Sequence, residues 1–142
     1  MKLFKNWIVV PTALVAILTS ITIVNADPLP ITPNFKPDPI ILTGISGGAK
    51  DSQGCGKIGE QPNHVIRLSD KFKYLRFSVE GEGNLTLLIE PPSGSPSCVL
   101  YDSASGGKIQ SSGLWEAGIY RISIGDRSGQ KHPYTLSITQ VR

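Results

Sequence analysis

The sequence predicts an all-β fold in which antiparallel strands pack face to face as a β-sandwich. From residue 40 onward, apolar and polar residues alternate with a period of two, as half-buried strands require. Turns rich in glycine and proline separate the runs at intervals of about 8–12 residues. No stretch in this part of the chain sustains the period of an amphipathic helix.

The N-terminal segment, residues 1–26, has the features of an export signal. A basic start precedes the uncharged apolar run Ile8–Val24. Val24-Asn25-Ala26 fits a small-residue cleavage site, so the mature chain is expected to begin at Asp27. The protein is therefore expected in the periplasm or outside the cell. If the segment stays uncleaved, residues 7–24 would instead anchor the domain to the inner membrane.

The charge balance of the mature chain argues against two classes of partner. Removing 26 of the 142 residues leaves 116, which is enough for one domain. Two of the 14 basic residues lie in the signal, which leaves 12 against 11 acidic residues. A near-neutral domain gives no electrostatic reason to expect nucleic acid or an anionic membrane as its partner.

Residues 27–39 form a proline-rich segment that is expected to link the signal to the folded domain, residues 40–142. The prolines exclude a helix and an interior strand, and they favour extended polyproline II structure. We expect a disordered arm here. The prolines are Pro28, Pro30, Pro33, Pro37 and Pro39.

Five clear strands follow, each with one apolar face, and Ile40–Ile45 and Ser97–Tyr101 are further strand candidates. Glycine turns such as residues 81–83 and 126–129 separate them. Burying the inward residues between two sheets contributes roughly 1.5–3 kcal/mol for each large apolar side chain. In chain order the inward residues are His64, Ile66, Leu68; Leu75, Phe77, Val79; Leu85, Leu87, Ile89; Tyr120, Ile122, Ile124; and Tyr134, Leu136, Ile138.

Cys55 and Cys98 are the only cysteines, and we expect them to form a disulfide because the chain has the features of an exported protein. Closing a loop of this length contributes about 4 kcal/mol in the chain-entropy model. Two free thiols or a two-cysteine metal site fit less well. No pair of histidines lies near enough in the sequence to complete four ligands.

Two glycine motifs match catalytic or cofactor signatures, but their surroundings argue against those roles. Gly44–Gly48 matches the G-x-S-x-G elbow with Ser46 as the nucleophile, yet no helix follows as that elbow requires. Gly54–Gly59 matches G-x-G-x-x-G, yet a strand follows where a dinucleotide site needs a helix. A hydrolase would further need Ser46 to meet His64 or His132 in space.

Seven pieces of the chain, taken in order, resemble a known family. They are Gly54–Gly56, Pro62–Leu68, Phe72–Arg76, Leu85–Ile89, Cys98, Leu114–Gly125 and Pro133–Thr139. Together they resemble the bacterial pre-peptidase C-terminal (PPC) domain, in the form common among small exported proteins of cyanobacteria. The resemblance covers about residues 50–140.

The resemblance implies a jelly-roll-like β-sandwich without catalytic activity. Such domains accompany secreted peptidases or stand alone, and are thought to assist secretion, substrate attachment or cell-surface association. Related domains in collagenases bind calcium through acidic loops. The family form often has an acidic pair soon after the second cysteine, whereas here only Asp102 follows Val99-Leu100-Tyr101. No cofactor is therefore expected, and Asp102 is the one candidate calcium ligand.

Near the predicted strand that carries Tyr120, two further residues have distinct expected roles. Gly118 is expected to adopt a backbone conformation, or a close approach, that other residues cannot. The hydroxyl of Tyr120 is expected to reach a backbone partner from inside the sandwich. Trp115 would either plug the end of the sandwich or offer a stacking platform to a sugar or peptide.

The sequence favours a non-catalytic, exported PPC-like domain that binds a protein or polysaccharide surface of the cell envelope. No catalytic or metal-binding residue is assigned. A carbohydrate-binding module is one alternative, and it would need exposed aromatic residues, for which Tyr74, Tyr101 and Trp115 are the candidates. A small secreted hydrolase using Ser46 is the other.

Overall fold

A computed structural model describes residues 27–142, which form strands, turns and one short 3-10 turn at Ser103–Ser105. The predicted signal and its alternative as an anchor fall on residues 1–26 and so lie outside the described residues. Within residues 27–142 no helix has the length and apolar character to cross a membrane. The strands are β1 (Leu29–Ile31), β2 (Ile40–Ile45), β3 (Lys50–Asp51), β4 (Lys57–Ile58), β5 (His64–Leu68), β6 (Phe72–Gly81), β7 (Leu85–Glu90), β8 (Ser97–Leu100), β9 (Lys108–Trp115), β10 (Gly118–Asp126) and β11 (Pro133–Thr139).

The strands form two sheets, which confirms the predicted all-β sandwich. A seven-stranded sheet has the order β1-β5-β10-β4-β3, and β7 joins it by pairing with both β10 and β8. A four-stranded sheet has the order β2-β11-β6-β9. All pairings are antiparallel except that of β1 with β5.

The core lies between the two sheets and is built from the alternating residues that the sequence identified. Ile66, Phe77, Leu87, Ile122 and Leu136 have no exposed surface. Every predicted inward residue is buried except His64, which is half-buried at the start of β5. This burial is the main stabilising contribution, because apolar area removed from water is the dominant favourable term in folding.

The proline-rich segment is not a linker throughout, and this prediction is wrong for residues 29–35. Leu29–Ile31 pairs in parallel with β5, and Ile31 is only 1% exposed. Phe35 is also in the core, with its ring centroid 6.3 Å from that of Phe72. Pro30 is tolerated because β1 is an edge strand, where a missing N–H breaks no ladder. Ile31 and Phe35, which lie between the prolines, pack into the core and so hold this segment against the domain.

Strand β9 was not predicted, although it is eight residues long. Its inward positions include Ile109 and Trp115, which are buried. Ser111 and Gly113 occupy the inward positions between them and are too small and polar to reveal the alternation. The weaker predictions were correct, since Ile40–Ile45 is β2 and Ser97–Leu100 is β8.

The predicted disulfide is present and joins Cys55 to Cys98 across a Cα–Cα distance of 5.8 Å. Cys55 is buried beside β7, where the Thr86 hydroxyl donates to its carbonyl oxygen at 2.6 Å. The bridge therefore holds the glycine-rich loop before β4 against the solvent side of the seven-stranded sheet. Residues 54–56 lie in this loop, and Gly54–Gly59, which also contains β4, opens no helix, as expected.

Candidate functional site

Ser46 directly follows β2 and bonds the backbone of His132. It has no exposed surface, and its N–H donates to the His132 carbonyl oxygen at 2.8 Å. Its hydroxyl oxygen accepts from the His132 backbone N–H at 3.2 Å. Gly47 has φ +78°, and a Cβ there would collide with the Gln130 carbonyl oxygen. The G-x-S-x-G match therefore reflects close packing of β2 onto the β10–β11 connection.

His64 contacts a tyrosine rather than a serine. Its Nε2 lies 2.7 Å from the Tyr134 hydroxyl oxygen, and the two rings meet edge to face. Burial lowers the pKa of His64, so the neutral imidazole can accept the hydroxyl proton. Burial likewise raises the pKa of Tyr134 to about 12, and a hydrogen bond with Asn63 opposes part of that rise. Both groups are therefore uncharged near neutral pH.

Asp126 places a carboxylate at the same end of the sandwich. It is fully buried, and its Oδ1 accepts from the N–H and the hydroxyl of Ser128. Its Oδ2 has no hydrogen-bond partner within residues 27–142. A Cβ on Gly83 would lie 2.5 Å from this oxygen and 2.6 Å from Cδ2 of His132. The glycine thus leaves room for the carboxylate and the imidazole to face one region.

This polar end of the sandwich brings serine, histidine and aspartate near one another without forming a catalytic arrangement. The contact between Ser46 and His132 is made by the histidine backbone, and the serine hydroxyl is fully buried. The partner of the His64 ring is Tyr134. A nucleophile needs an accessible hydroxyl within reach of a base, and Ser46 has no accessible surface.

Trp115, the first aromatic candidate for ligand stacking, is part of the core. It is 8% exposed, and its Nε1–H donates to the Leu75 carbonyl oxygen at 3.0 Å. Its ring lies 4.6 Å from that of Phe77 and 5.2 Å from that of Tyr120, measured between centroids. The stacking-platform interpretation is therefore wrong for Trp115, which plugs the end of the sandwich.

Two smaller expectations for this region agree with the structure. The Tyr120 hydroxyl donates to the backbone carbonyl of Glu116 at 2.8 Å. Gly118 has φ +136°, and a Cβ there would lie 2.6 Å from Cγ of Pro92. Glycine is required on both counts, since L residues rarely adopt this φ and the space is occupied.

Tyr101 and Tyr74, the other aromatic candidates, are both half-buried but differ in their surroundings. Tyr101 packs against the core, and its backbone N–H donates to the Leu85 carbonyl oxygen. Tyr74 lies on β6, where Nη1 of Arg76 approaches its hydroxyl oxygen at 3.5 Å. The guanidinium carbon of Arg142 lies 5.0 Å from the centroid of the Tyr74 ring. Only Tyr74 combines an aromatic ring with converging cationic groups.

Tyr74 belongs to the solvent-facing side of the four-stranded sheet, which we call the outer face. The strand pairing aligns its residues in rows that cross the sheet, because side chains on one face alternate with those of the core. Most of these residues carry hydroxyl or amide groups. The rows are Ile41–Ser137–Ser78–Gln110, Thr43–Thr135–Glu80–Lys108 and Thr139–Arg76–Ser112.

Asp102, the candidate calcium ligand, caps the 3-10 turn that follows β8. Its Oδ1 accepts from the Ala104 N–H at 3.0 Å, and the side chain is exposed. Within residues 27–142 no group of three or more His, Cys, Asp or Glu side chains is placed to hold a metal ion. A calcium site needs six to eight oxygen ligands, so the residues around Asp102 do not fit one.

Comparison with known proteins agrees with the fold described above. No family model matches the chain. In sequence the chain is 43% identical over 102 residues to an uncharacterized protein of Synechococcus elongatus, covering 69% of this chain and 73% of that protein.

In structure the chain is similar to the pre-peptidase C-terminal domain of a collagenase from Bacillus anthracis, with a TM-score of 0.53 and 14% identity over 78% of this chain and 93% of that chain. A periplasmic inhibitor of g-type lysozyme from Aeromonas hydrophila has a TM-score of 0.40 and 16% identity over 78% of this chain and 95% of that one. The chain thus has the β-sandwich fold of the pre-peptidase C-terminal domain, and it belongs to the same family as the Synechococcus elongatus protein.

Proposed function

We propose that this protein is an exported, non-catalytic binding module that holds an acidic polysaccharide of the cell envelope on its outer face. The observation that carries the proposal is the convergence of two guanidinium groups on Tyr74, from Arg76 and Arg142. Carboxylate or sulfate groups on a sugar chain are the natural partners of guanidinium, which binds planar anions through paired N–H donors.

Neither arginine has an acidic side chain of the described residues, 27–142, at ion-pair distance. Within residues 27–142 the one ion pair joins Lys71 to Glu116, and both of those side chains are largely exposed. The charge on Arg76 and Arg142 is therefore available to a ligand. The half-buried Tyr74 ring beside them adds apolar surface that a sugar ring can contact.

The remainder of the outer face suits a chain of sugars better than an apolar partner. Thr43, Thr135, Gln110 and Ser112 are exposed there and can both donate and accept hydrogen bonds. A polysaccharide presents hydroxyl groups at regular intervals, and rows of hydroxyl and amide side chains on a sheet can bond several sugar units in succession. The arginines would then select acidic chains over neutral ones.

Export and absence of catalysis are the other two parts of the proposal. The Cys55–Cys98 bridge supports export, because disulfides persist in oxidising compartments. The basic start and the apolar run of residues 1–26 support it at the level of sequence. The burial of Ser46 supports a non-catalytic role, since the one nucleophile suggested by a motif has no exposed surface.

Affinity electrophoresis through gels containing polygalacturonate tests the proposal, with dextran as the neutral polymer. We expect polygalacturonate to retard the protein and dextran to leave its mobility unchanged. Changing both Arg76→Gln and Arg142→Gln should weaken the binding about 10- to 100-fold, as expected for losing charge-assisted hydrogen bonds. Added salt should weaken it further.

A matched control removes the same charge elsewhere. Arg67 and Arg127 are exposed and belong to the seven-stranded sheet and its turn, so Arg67→Gln with Arg127→Gln changes net charge equally. Polygalacturonate should retard this control variant as much as it retards the wild-type protein. Equal loss in both double variants would mean that only net charge matters, and equal binding to dextran would show that the arginines select nothing. Either result contradicts the proposal.

A further inference from the structure

Strand β2 is an open edge of the four-stranded sheet. It pairs with β11 on one side, and no strand of residues 27–142 pairs with it on the other. The N–H of Ser46 bonds the His132 carbonyl oxygen, which extends the same register by one residue. Because hydrogen-bonding direction alternates along an antiparallel strand, the backbone groups of Ile41, Thr43 and Ile45 point to the open side.

The open edge lacks the usual protection against pairing with another strand. Natural edges carry charged residues or proline, are very short, or are covered by other segments. β1 has three residues and contains Pro30, and the disulfide holds β8. β2 has six residues with no charge and no proline, and its Ile41 and Ile45 are 54% and 53% exposed.

The sequence of β2 is self-complementary about Thr43. In an antiparallel pair of two copies centred there, Thr43 faces the partner's Thr43. Ile41 then faces the partner's Ile45, on the solvent side where both isoleucines are exposed. The same register pairs outward-pointing N–H groups with outward-pointing carbonyls at each position. An isologous dimer needs this match of a surface with itself.

We propose that β2 is the interface of a two-fold symmetric homodimer. Two four-stranded sheets then continue as one sheet of eight strands, and the exposed isoleucines cover one another. At one end of the contact, Nδ2 of Asn63 already donates to the Ile45 carbonyl oxygen at 3.0 Å, which leaves that oxygen a second lone pair for the partner. The interface rests on β2 alone and does not depend on the proposed polysaccharide.

A cysteine at the symmetry axis tests the interface directly. Hydrogen-bonded antiparallel residues have Cα atoms about 5.5 Å apart, which is within disulfide range. Thr43→Cys in the purified exported protein should therefore give a covalent dimer on mild oxidation, and peptide mapping should find the position 43 cysteines joined. Thr135→Cys is the matched control, because Thr135 lies beside Thr43 on the same face but one strand further from the edge. It should remain monomeric on a non-reducing gel.

Sedimentation of proteins without new cysteines gives an independent measurement. Ile41→Lys with Ile45→Lys places like charges across the interface, and should raise the dimer dissociation constant about 100-fold. Leu114→Lys alters an exposed residue on β9, at the opposite edge, and should leave the constant unchanged. Far-UV circular dichroism confirms that each variant is folded.

Three results would overturn the inference. The wild-type protein could sediment as a monomer up to millimolar concentration. Both cysteine variants could cross-link equally, which would indicate random collision. The position 43 cysteine could cross-link only to a different polypeptide, which would mean that the edge accepts an unrelated strand rather than a second copy.

Discussion

Trp115 and Gly118 lie on either side of the turn between β9 and β10, and they act on stability in different ways. Trp115 fills the end of the sandwich with its ring and satisfies its N–H on the Leu75 carbonyl. Gly118 contributes no side chain, but its φ of +136° and its contact with Pro92 exclude other residues. One position needs a large side chain and the other needs none.

Trp115→Ala should lower the free energy of unfolding by about 3–5 kcal/mol, as for other buried aromatic residues. Trp115→Phe keeps most of the ring and should cost less, although it leaves the Leu75 carbonyl unpaired at a cost of about 1–3 kcal/mol. Urea titration followed by circular dichroism measures both. An alanine variant as stable as the wild type would place the ring on the surface and contradict the core assignment.

Gly118→Val should destabilise for two separable reasons. The positive φ costs about 1–3 kcal/mol for a residue with a side chain, and the added Cβ meets the Pro92 ring. Because Trp115 is buried, the loss for Trp115→Ala should be comparable to the loss for Gly118→Val. Pro92→Gly removes both carbons that a Cβ at position 118 would meet, Cγ at 2.6 Å and Cβ at 2.8 Å. Adding it to Gly118→Ala should therefore recover only the steric part, measured against Pro92→Gly alone. Full recovery would show that φ carries no strain.

His64 gives the folded protein a dependence on acidic pH. Burial lowers its pKa in the folded state, whereas in the unfolded chain the pKa is about 6.5. As pH falls through that value, the unfolded state takes up the proton first, so stability decreases until the lower folded-state pKa is passed. Urea midpoints should fall between pH 7.5 and pH 5 by more in the wild type than in His64→Gln. Identical slopes would contradict this account.

At the scale of elements, the predictable strands are those whose inward residues are large. β5, β6, β7, β10 and β11 alternate Ile, Leu, Val, Phe and Tyr with polar residues, so their period is visible. β9 is hidden by the small residues at its inner positions, and β1 by prolines that an edge strand tolerates. β3 and β4 have two residues each, too few to show any period.

The sequence predicts only part of the candidate binding site, because the site joins residues that are far apart in the chain. Tyr74 was identified as an aromatic candidate, but Arg76 and Arg142 were not. Arg142 reaches Tyr74 only because β11 pairs with β6, which sets Thr139 opposite Arg76. Such a site depends on strand order and register, and these follow from long-range packing rather than from local pattern.

Strand β1 provides a test of the corrected boundary of the domain. Ile31→Ala removes a side chain that is 1% exposed, and should lower the free energy of unfolding by about 2–5 kcal/mol. Pro33→Ala lies two residues away, is exposed, and should have little effect. Thermal unfolding followed by circular dichroism compares the two. Equal stability of both variants would restore the linker interpretation of residues 27–39.

At the scale of the whole molecule, the two sheets present different surfaces to the solvent. The loop held by the Cys55–Cys98 bridge covers part of the seven-stranded sheet, where Thr86 is fully buried beneath it. The outer face of the four-stranded sheet carries the hydroxyl and amide rows and the arginines around Tyr74. The outer face is therefore the surface on which we propose that the polysaccharide binds.

Amide chemical-shift mapping during titration with an oligogalacturonate would locate the surface that binds an acidic polysaccharide. We expect shifts concentrated on the outer face, at Tyr74, Arg76 and Ser112 and extending along the neighbouring rows of β6, β9 and β11. The shifts should weaken as salt is added. Shifts confined to the polar end around Ser46 and His132, or to the solvent side of the seven-stranded sheet, would contradict binding on the outer face.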